Sequence, residues 1–345
     1  MHCISANTMH TSSKLPLTLQ MLQDAREKVK NSPLHVVRTP VVNINQTALL
    51  HHPSCDLFLK LENLQTTGSF KIRGVANQFA GRPRGGQFVT MSAGNYGKAF
   101  AYALKEYSSK GKVVMPETAP SSRAAIIASY GADVERVPQE SLQLAVDNNV
   151  REHNMTFLHS FDDVDLMAGH GSLGFEILED VPNLDVIVIS CGGGGLLAGV
   201  SAAVKLQCPN VRIYGVEPEG ACTMFRSFAE GKAVSMSVKT IAAGLAPPCA
   251  GSICYNICKE HVEDIVLVSD NDIRVAVSVL YNIGLVVEPS GAAGFAAVLG
   301  NKIPDVSNKR VVVVISGRNI SLEELHDYPI GHNSNMLDYW VANMA

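Results

Sequence analysis

The stretch "DVIVISCGGGGLLAGV", residues 185–200, sets four consecutive glycines between an apolar run and a segment with helical periodicity. The apolar run predicts a buried strand, and the segment after the glycines predicts a helix. Because glycine has no Cβ, such a turn exposes backbone N–H groups at a helix N-terminus, where the partial positive charge attracts an anion. The stretch therefore predicts an α/β protein with a phosphate-binding turn. Close packing of the strand on the helix is the alternative explanation of the glycines.

Short β-branched runs alternate with alanine-rich helical stretches along the rest of the chain. The nine strand candidates are "LFLKLE", "QFVTMS", "KVVMP", "VERVP", "TFLHS", "DVIVISC", "RIYGVEP", "DIVLVS" and "RVVVVISG". This alternation is typical of α/β proteins with parallel sheets, and the near-continuous apolar runs indicate sheets covered by helices on both faces. We predict a small domain at residues 85–164 and a discontinuous large domain at 1–84 and 165–345, with a cleft between them.

The composition is that of a globular protein with a large core, since 46% of the 345 residues are hydrophobic and 17% are charged. The net charge of −4 is mild and no basic block occurs, so no nucleic-acid partner is expected. The apolar runs have strand length or are interrupted by glycines, so no membrane partner is expected either. The eight cysteines form no CxxC pair and the N-terminus has no secretory pattern. We therefore predict reduced thiols and a cytoplasmic location.

Three further segments carry residues of chemical interest. "SFKIRG", residues 69–74, contains Lys71; "MSAGNYGKA", residues 91–99, offers side-chain and backbone donors for a small carboxylate; and "VVVVISGRN", residues 311–319, sets Ser316 at the end of a buried strand. A helix N-cap and an ordinary turn are the alternatives for the last two. Together with the glycine turn, these are the parts that a pyridoxal phosphate (PLP) enzyme requires. A nicotinamide dehydrogenase is disfavoured, because the glycines lack the fingerprint spacing and the ribose-binding acid.

The chain resembles the fold-type II PLP enzymes of the serine/threonine dehydratase (ammonia-lyase) and serine racemase family. The resemblance runs from "TPVVNINQT" (39–47) to "SGRN" (316–319) and includes "PETAPSSRAAIIASYGADV", "HSFDDVDLMAGHGSLGFEIL", "GVEPEG" and "EPSGAAGFAAV". It implies an α/β fold of two domains, similar to the tryptophan synthase β subunit, each with a mostly parallel sheet flanked by helices. It also implies a small amino-acid substrate and a homodimer.

The resemblance implies roles for individual residues. Lys71 corresponds to the lysine that forms a Schiff base with PLP and then acts as the base at the substrate Cα, and Ser92 is the second predicted catalytic residue. Phe70 is expected to pack against the cofactor ring, Asn95 to hydrogen-bond its phenolic oxygen and Ser316 to pair with its pyridine nitrogen. The cofactor phosphate is expected to bind the glycine turn, which comprises Gly192, Gly193, Gly194 and Gly195. The substrate is expected to bind the loop of Ser92, Ala93, Gly94, Asn95 and Tyr96.

One position in that loop separates the activities of the family. Serine racemases have a loop similar to "SSGNHG", whose second serine donates a proton on the face opposite the lysine, whereas this chain has "SAGNYG" with Ala93 there. A methyl group cannot transfer a proton. We therefore predict dehydration and deamination of L-serine, L-threonine or a 3-hydroxy relative such as 3-hydroxyaspartate, giving a 2-oxo acid and ammonia. The alternatives are a serine or aspartate racemase, a β-replacement enzyme and a non-catalytic PLP-binding protein.

Two other positions depart from the family pattern. Tyr96 replaces the histidine that is usual in threonine dehydratases, so an altered substrate pocket is expected. The family binds a divalent cation through a "VEP" glutamate, which Glu217 matches, a backbone carbonyl near Ala221 and an acidic residue, in whose place this chain has Thr223. Oxygen ligands suit Mg²⁺ or Ca²⁺. The prediction is such an ion at Glu217 and Ala221, with an incomplete ligand set.

Overall fold

The structure is a computed structural model that describes residues 16–46, 54–326 and 328. The strands in this part of the chain are β1 (Val41–Asn43), β2 (Asp56–Lys60), β3 (Gln87–Met91), β4 (Lys110–Pro116), β5 (Asp133–Val137), β6 (Thr156–Phe157), β7 (Val186–Ser190), β8 (Arg212–Pro218), β9 (Asp264–Val268) and β10 (Arg310–Val314). The helices are α1 (Leu19–Lys30), α2 (Lys71–Ala80), α3 (Asn95–Glu106), α4 (Ser121–Ser129), α5 (Leu142–His153), α6 (Val164–Asp180), α7 (Gly195–Lys205), α8 (Thr223–Glu230), α9 (Ser252–His261), α10 (Asp270–Asn282), α11 (Pro289–Leu299) and α12 (Leu322–Leu325).

The strands form two sheets. The larger has the order β1-β2-β10-β7-β8-β9 and is parallel except for β1, which runs antiparallel to β2. At its centre, Val312 pairs with Phe58 on one side and with Ile187 on the other. The smaller sheet has the order β5-β4-β3-β6 and is parallel throughout. The predicted α/β fold with two mostly parallel sheets is thus confirmed.

All nine predicted strands are present, and β1 is the strand that the sequence analysis missed. The smaller sheet is built from residues 87–157, which lie inside the predicted small domain at 85–164. The boundaries of the two domains stay a prediction.

Helices cover both faces of the larger sheet, as the continuous apolar runs predicted. In β7, Val186 and Val188 pack on one face, against residues of α10 and α11. The alternate residues Ile187 and Ile189 pack on the other face, against residues of α6, α7 and α9. Since successive side chains of a strand point to opposite faces, both sets are buried and the strand has no polar face.

A buried ion network supports the first turns of α2. The Arg73 guanidinium donates to Glu62 and to Glu176 at 2.8 Å each, and Lys60 contacts Glu176 at 2.8 Å. Burial alone would raise the pKa of Glu62, but the neighbouring Arg73 outweighs it and holds that pKa below its usual value. Because the charges are paired, the network fixes the position of α2 relative to β2 and α6 without leaving a bare buried charge.

The cysteines match the prediction of reduced thiols at six positions and differ from it at one. The cysteines that form no disulfide are Cys55, Cys191, Cys208, Cys222, Cys254 and Cys258. Cys249 is disulfide-bonded, so the expectation of reduced thiols throughout is wrong for this residue. Among the described residues, no helix is long and apolar enough to cross a membrane.

Candidate active site

A cavity of about 1230 Å³ lies where strands of both sheets end, next to Met91 of β3, Ser190 of β7 and the residues after β10. It is lined by every residue that the sequence analysis assigned to the cofactor or the substrate: Phe70, Lys71, Ser92, Ala93, Gly94, Asn95, Tyr96, Gly192, Gly193, Gly194, Gly195 and Ser316. The carboxyl ends of parallel strands are the usual place for a ligand in such folds. The two predicted metal ligands, Glu217 and Ala221, do not line the cavity.

Lys71 is the first residue of α2 and reaches into the cavity. Its Nζ donates to the Ser160 carbonyl oxygen at 2.7 Å and lies 5.2 Å from the centre of the Phe70 ring and 5.6 Å from that of the Tyr96 ring. Burial disfavours the ammonium form and lowers the pKa of Lys71 to about 8. About a tenth of this amine is therefore uncharged at pH 7, far more than for a lysine with the usual pKa of 10.5, as a nucleophilic lysine requires.

The segment before Lys71 is held against the strand end that carries Ser316. Ser69 forms an antiparallel bridge with Gly317, and the Phe70 N–H donates to the Ser316 carbonyl at 3.1 Å. The Ser316 side chain lines the cavity, and its hydroxyl makes no hydrogen bond within the described part of the chain. This pairing brings together a lysine and a hydroxyl that lie 245 positions apart (316 − 71).

The glycine turn combines close packing with exposed N–H groups. Gly194 has a φ of +101°, and a Cβ there would lie 2.5 Å from Met224 Cε and 2.8 Å from Cys254 Cβ. A Cβ at Gly195 would lie 2.6 Å from the Phe161 carbonyl oxygen. Close packing therefore explains the glycines in part. The same turn also starts α7, whose first N–H groups have no partner inside the helix and are left for a ligand in the cavity.

The loop before α3 carries Ser92, which was predicted to bind the substrate, and Ala93, whose methyl group stands where the racemases have a serine. The Ser92 hydroxyl oxygen accepts from the Gly97 N–H at 3.1 Å and from the Gly94 N–H at 3.4 Å, so it also caps the start of α3. Ala93 also lines the cavity. The Tyr96 hydroxyl is turned away and donates to Gln78 Oε1 at 2.6 Å, so only the ring of Tyr96 borders the cavity near Lys71.

None of the four acidic residues that line the cavity, Glu140, Asp162, Glu288 and Glu324, was predicted, and both Asp162 and Glu288 contact residues distant in sequence. Glu288, at the N-terminal end of α11, accepts from Asn95 Nδ2 at 2.7 Å, and burial raises its pKa to about 7. Asp162 accepts from the N–H groups of Ser252, Ile253 and Cys254 at 2.9–3.0 Å and so caps α9. Both Glu288 and Asp162 lie in stretches that carry the family resemblance, and this resemblance was the one indication of their importance. Their hydrogen-bond partners are distant in sequence.

The histidine of the same stretch, His159, has its tautomer fixed by the fold. Its Nδ1 accepts from the N–H groups of Phe161 at 3.2 Å and Asp162 at 2.9 Å. Burial lowers the pKa of His159, so the ring is neutral at pH 7. A neutral imidazole with an accepting Nδ1 carries its proton on Nε2. His159 lines the cavity beside the carbonyl that binds Lys71.

Glu217 has a structural role in this fold. Its carboxylate accepts from the N–H groups of Met224 at 2.9 Å and Phe225 at 2.8 Å, at the start of α8, and burial raises its pKa to about 8. Within the described residues, no group of three or more acidic, histidine or cysteine side chains is placed to hold a metal ion. The predicted cation at Glu217 and Ala221 therefore gains no support from this geometry.

PLP fits the residues that line the cavity. The start of α7 offers N–H groups for a phosphate, and Lys71 offers an amine of low pKa whose hydrogen-bond partner is a neutral carbonyl oxygen. Ser316 offers a hydroxyl for the pyridine nitrogen, and the Phe70 ring lies next to the lysine. These groups line one cavity large enough for the cofactor and an amino acid together.

Comparison with known proteins agrees with this fit. Residues 33–317 match the family described as "Pyridoxal-phosphate dependent enzyme", and the chain belongs to that family. It is 34% identical to a serine racemase from Dictyostelium discoideum over 90% of this chain and 98% of that one. It is 37% identical to an L-threonine ammonia-lyase from Thermotoga maritima over 89% of this chain and 76% of that one. The solved processed form of threonine deaminase isoform 2 from Solanum lycopersicum superposes with a TM-score of 0.81 at 29% identity, covering 89% of this chain and 87% of that one.

Proposed function

We propose that this protein is a PLP-dependent lyase that eliminates water from L-serine or L-threonine to give an enamine. Water then hydrolyses the enamine to the corresponding 2-oxo acid and ammonia. The observation that carries the proposal is the meeting of Lys71, the glycine turn and the "SAGNYG" loop in one cavity. The names of the relatives, which include threonine ammonia-lyase and dehydratase, support the same class of reaction.

PLP, when bound, supplies an electron sink that stabilises negative charge at the substrate Cα. Lys71 would anchor the cofactor and take the Cα proton, for which its pKa of about 8 is suited. The N–H groups at the start of α7 would hold the phosphate, and the Ser316 hydroxyl would accept or donate at the pyridine nitrogen. Ser92 and the N–H groups beside it would hold the substrate carboxylate at the start of α3, where the helix dipole favours an anion.

Elimination is favoured over racemisation because Ala93 borders the cavity at the position where the family's racemases have a proton-donating serine. Racemisation needs a second acid that returns the proton to the opposite face of Cα, and a methyl group has no proton to give. The phenol of Tyr96, which lies in the same loop, donates to Gln78 at 2.6 Å, and burial raises its pKa well above the usual value. The similarity to a serine racemase makes racemisation the second candidate.

The test is incubation of the PLP-loaded protein with each enantiomer of serine, threonine, aspartate and 3-hydroxyaspartate. Oxo acid and ammonia are measured in parallel with chiral analysis of the remaining amino acid. Oxo acid from an L-substrate, without appearance of its D-enantiomer, is the expected result. Formation of the D-enantiomer faster than oxo acid would instead establish a racemase, and PLP binding without turnover would establish a non-catalytic binder.

Three finer predictions belong to the same proposal. We propose a homodimer, on the family resemblance, and a cytoplasmic location, which the six cysteines without a disulfide support and the disulfide of Cys249 does not. A Mg²⁺ or Ca²⁺ ion at Glu217 and Ala221 rests on the resemblance alone. Sedimentation analysis and the effect of a chelator on stability test the first and the last of these.

A further inference from the structure

Glu288, the acidic residue of the "EPSGAAG" stretch, borders the cavity but has no part in the proposed reaction. It is buried, with 8% of its surface exposed, and its Oε1 accepts from Asn95 Nδ2 at 2.7 Å. A Cβ at Gly317 would overlap this oxygen, so the glycine of "SGRN" is what lets the strand end approach the carboxyl group. Burial of a carboxyl group is costly, and here Gly317 leaves the space for it. The role of the Glu288 side chain therefore needs an explanation.

The explanation begins at a second amide, that of Asn319. Its Oδ1 accepts from Lys98 Nζ at 2.8 Å, and its Nδ2 donates to the Thr67 carbonyl oxygen at 3.1 Å. An ammonium group only donates and a carbonyl oxygen only accepts, so these two partners fix the orientation of the Asn319 amide. The same Nδ2 donates to Asn95 Oδ1 at 2.5 Å. The oxygen of Asn95 is therefore held on the side of Asn319.

The opposite end of the Asn95 amide is fixed by Glu288. The backbone N–H of Asn319 also donates to Glu288 Oε1, at 3.4 Å, so this oxygen acts as an acceptor. Only the nitrogen of Asn95 is compatible with such a partner. With its oxygen at Asn319 and one N–H at Glu288, the amide cannot turn over, and a single N–H of Asn95 is left at the cavity.

We propose that Glu288 and Asn319 are positioning residues for PLP, which fix the Asn95 amide so that its remaining N–H meets the phenolic oxygen of the cofactor. The inference rests on the proposed function for the identity of the cofactor. If the Asn95 amide were reversed, its Oδ1 would face the phenolic oxygen of the cofactor, and the two oxygens would repel each other. The two partners thus make a donor of Asn95, and this donor favours the ionised phenolic oxygen over the protonated one.

The experiment is a double-mutant cycle on PLP affinity. PLP is titrated into cofactor-stripped wild type, Asn95→Ala, Asn319→Ala, Glu288→Ala, Glu288→Gln and the double variant Asn95→Ala/Asn319→Ala. Loss of one oriented hydrogen bond is expected to weaken PLP binding about tenfold, which is about 1.4 kcal/mol. The ratio of the two visible bands of the bound cofactor, which reports the charge on the phenolic oxygen, should move in the same direction in all three alanine single variants. Glu288→Gln, which keeps an acceptor, should recover part of the affinity.

The cycle separates positioning from general damage, because a residue that acts through Asn95 has no further effect once Asn95 is gone. The expected result is equal PLP affinity of Asn95→Ala and the double variant. The matched control is Glu140→Ala, an exposed acidic side chain that lines the same cavity and makes no hydrogen bond within the described residues; it should bind PLP like wild type.

Two outcomes would overturn the inference while leaving the proposed function intact. One is an unchanged affinity and band ratio in Asn319→Ala and Glu288→Ala. The other is a tenfold loss that persists when Asn319→Ala is added to Asn95→Ala. PLP binding without elimination would overturn the proposed function alone, since the cycle measures affinity and not turnover. A wild type that binds no PLP would overturn both.

Discussion

Replacement of Gly194 by alanine tests whether the glycine turn is needed for packing, for the ligand or for both. Gly194 has a φ of +101°, which costs an L-residue about 1–2 kcal/mol. The added Cβ would lie 2.5 Å from Met224 Cε and 2.8 Å from Cys254 Cβ, and such overpacking of a core costs about 1–3 kcal/mol. The free energy of unfolding of cofactor-free Gly194→Ala is therefore expected to fall by about 2–5 kcal/mol.

Gly131→Ala is the matched control, because Gly131 has a φ of +89° but open space around its Cβ position. Both variants lose the same backbone freedom in the unfolded chain, so their difference isolates the packing contribution. Chemical denaturation of the two variants and of wild type measures it. If Gly194→Ala is no less stable than Gly131→Ala, the packing argument is refuted. PLP affinity, which should fall only in Gly194→Ala, tests the phosphate-binding role of the same turn.

Three further predictions follow from single side chains. Burial lowers the pKa of Lys71 to about 8, so the rate at which the cofactor-free protein forms a Schiff base with added PLP should rise with pH and reach half its maximum near pH 8. A midpoint near 10.5, the pKa of an ordinary lysine, would show that burial does not lower the pKa of Lys71. Ala93→Ser should form D-serine from L-serine about 10²–10⁴-fold faster than wild type, because its hydroxyl can act as a general acid. Ala233→Ser, in the same cavity, should show no such gain. Chiral analysis measures both, and equal rates in the two variants would show that position 93 does not decide between elimination and racemisation. Arg73→Met should lower the free energy of unfolding by about 3–5 kcal/mol, because it leaves buried carboxylates without a partner. Arg151→Met, at an exposed ion pair, should lower it by about 0–1 kcal/mol. Coinciding denaturation curves of the two variants would show that the buried network contributes no stability.

The sequence predicted the features that depend on local pattern. Nine strands were found because each lies in an apolar run. Length did not decide this, since β6 has only two residues; β1 (Val41–Asn43) was missed because its two valines are followed at once by Asn43 and the strand lies partly exposed at the sheet edge. The chemical residues of the cavity were found because each lies in a motif at a strand-to-helix turn. The partners of those residues were not found, since Glu288 meets Asn95 across 193 positions and Ser160 meets Lys71 across 89. The direction of the Tyr96 side chain and the tautomer of His159 cannot be predicted from a local sequence pattern, because both depend on contacts in the folded structure.

The electrostatics of α2 show how a reactive lysine and a buried ion network coexist. Lys71 and Arg73 lie on one helical turn, yet Arg73 holds Glu62 and Glu176 at 2.8 Å while Lys71 donates to a neutral carbonyl group. Burial alone would lower the pKa of both, but the two carboxylates outweigh it at Arg73 and raise that pKa. Among the described residues no carboxylate opposes burial at Lys71, so its pKa falls to about 8. A carboxylate moved from the guanidinium to the lysine would stabilise the ammonium form and remove the free amine that Schiff-base formation needs. Arg73 therefore stabilises the helix and also keeps the buried negative charge away from the residue proposed to react.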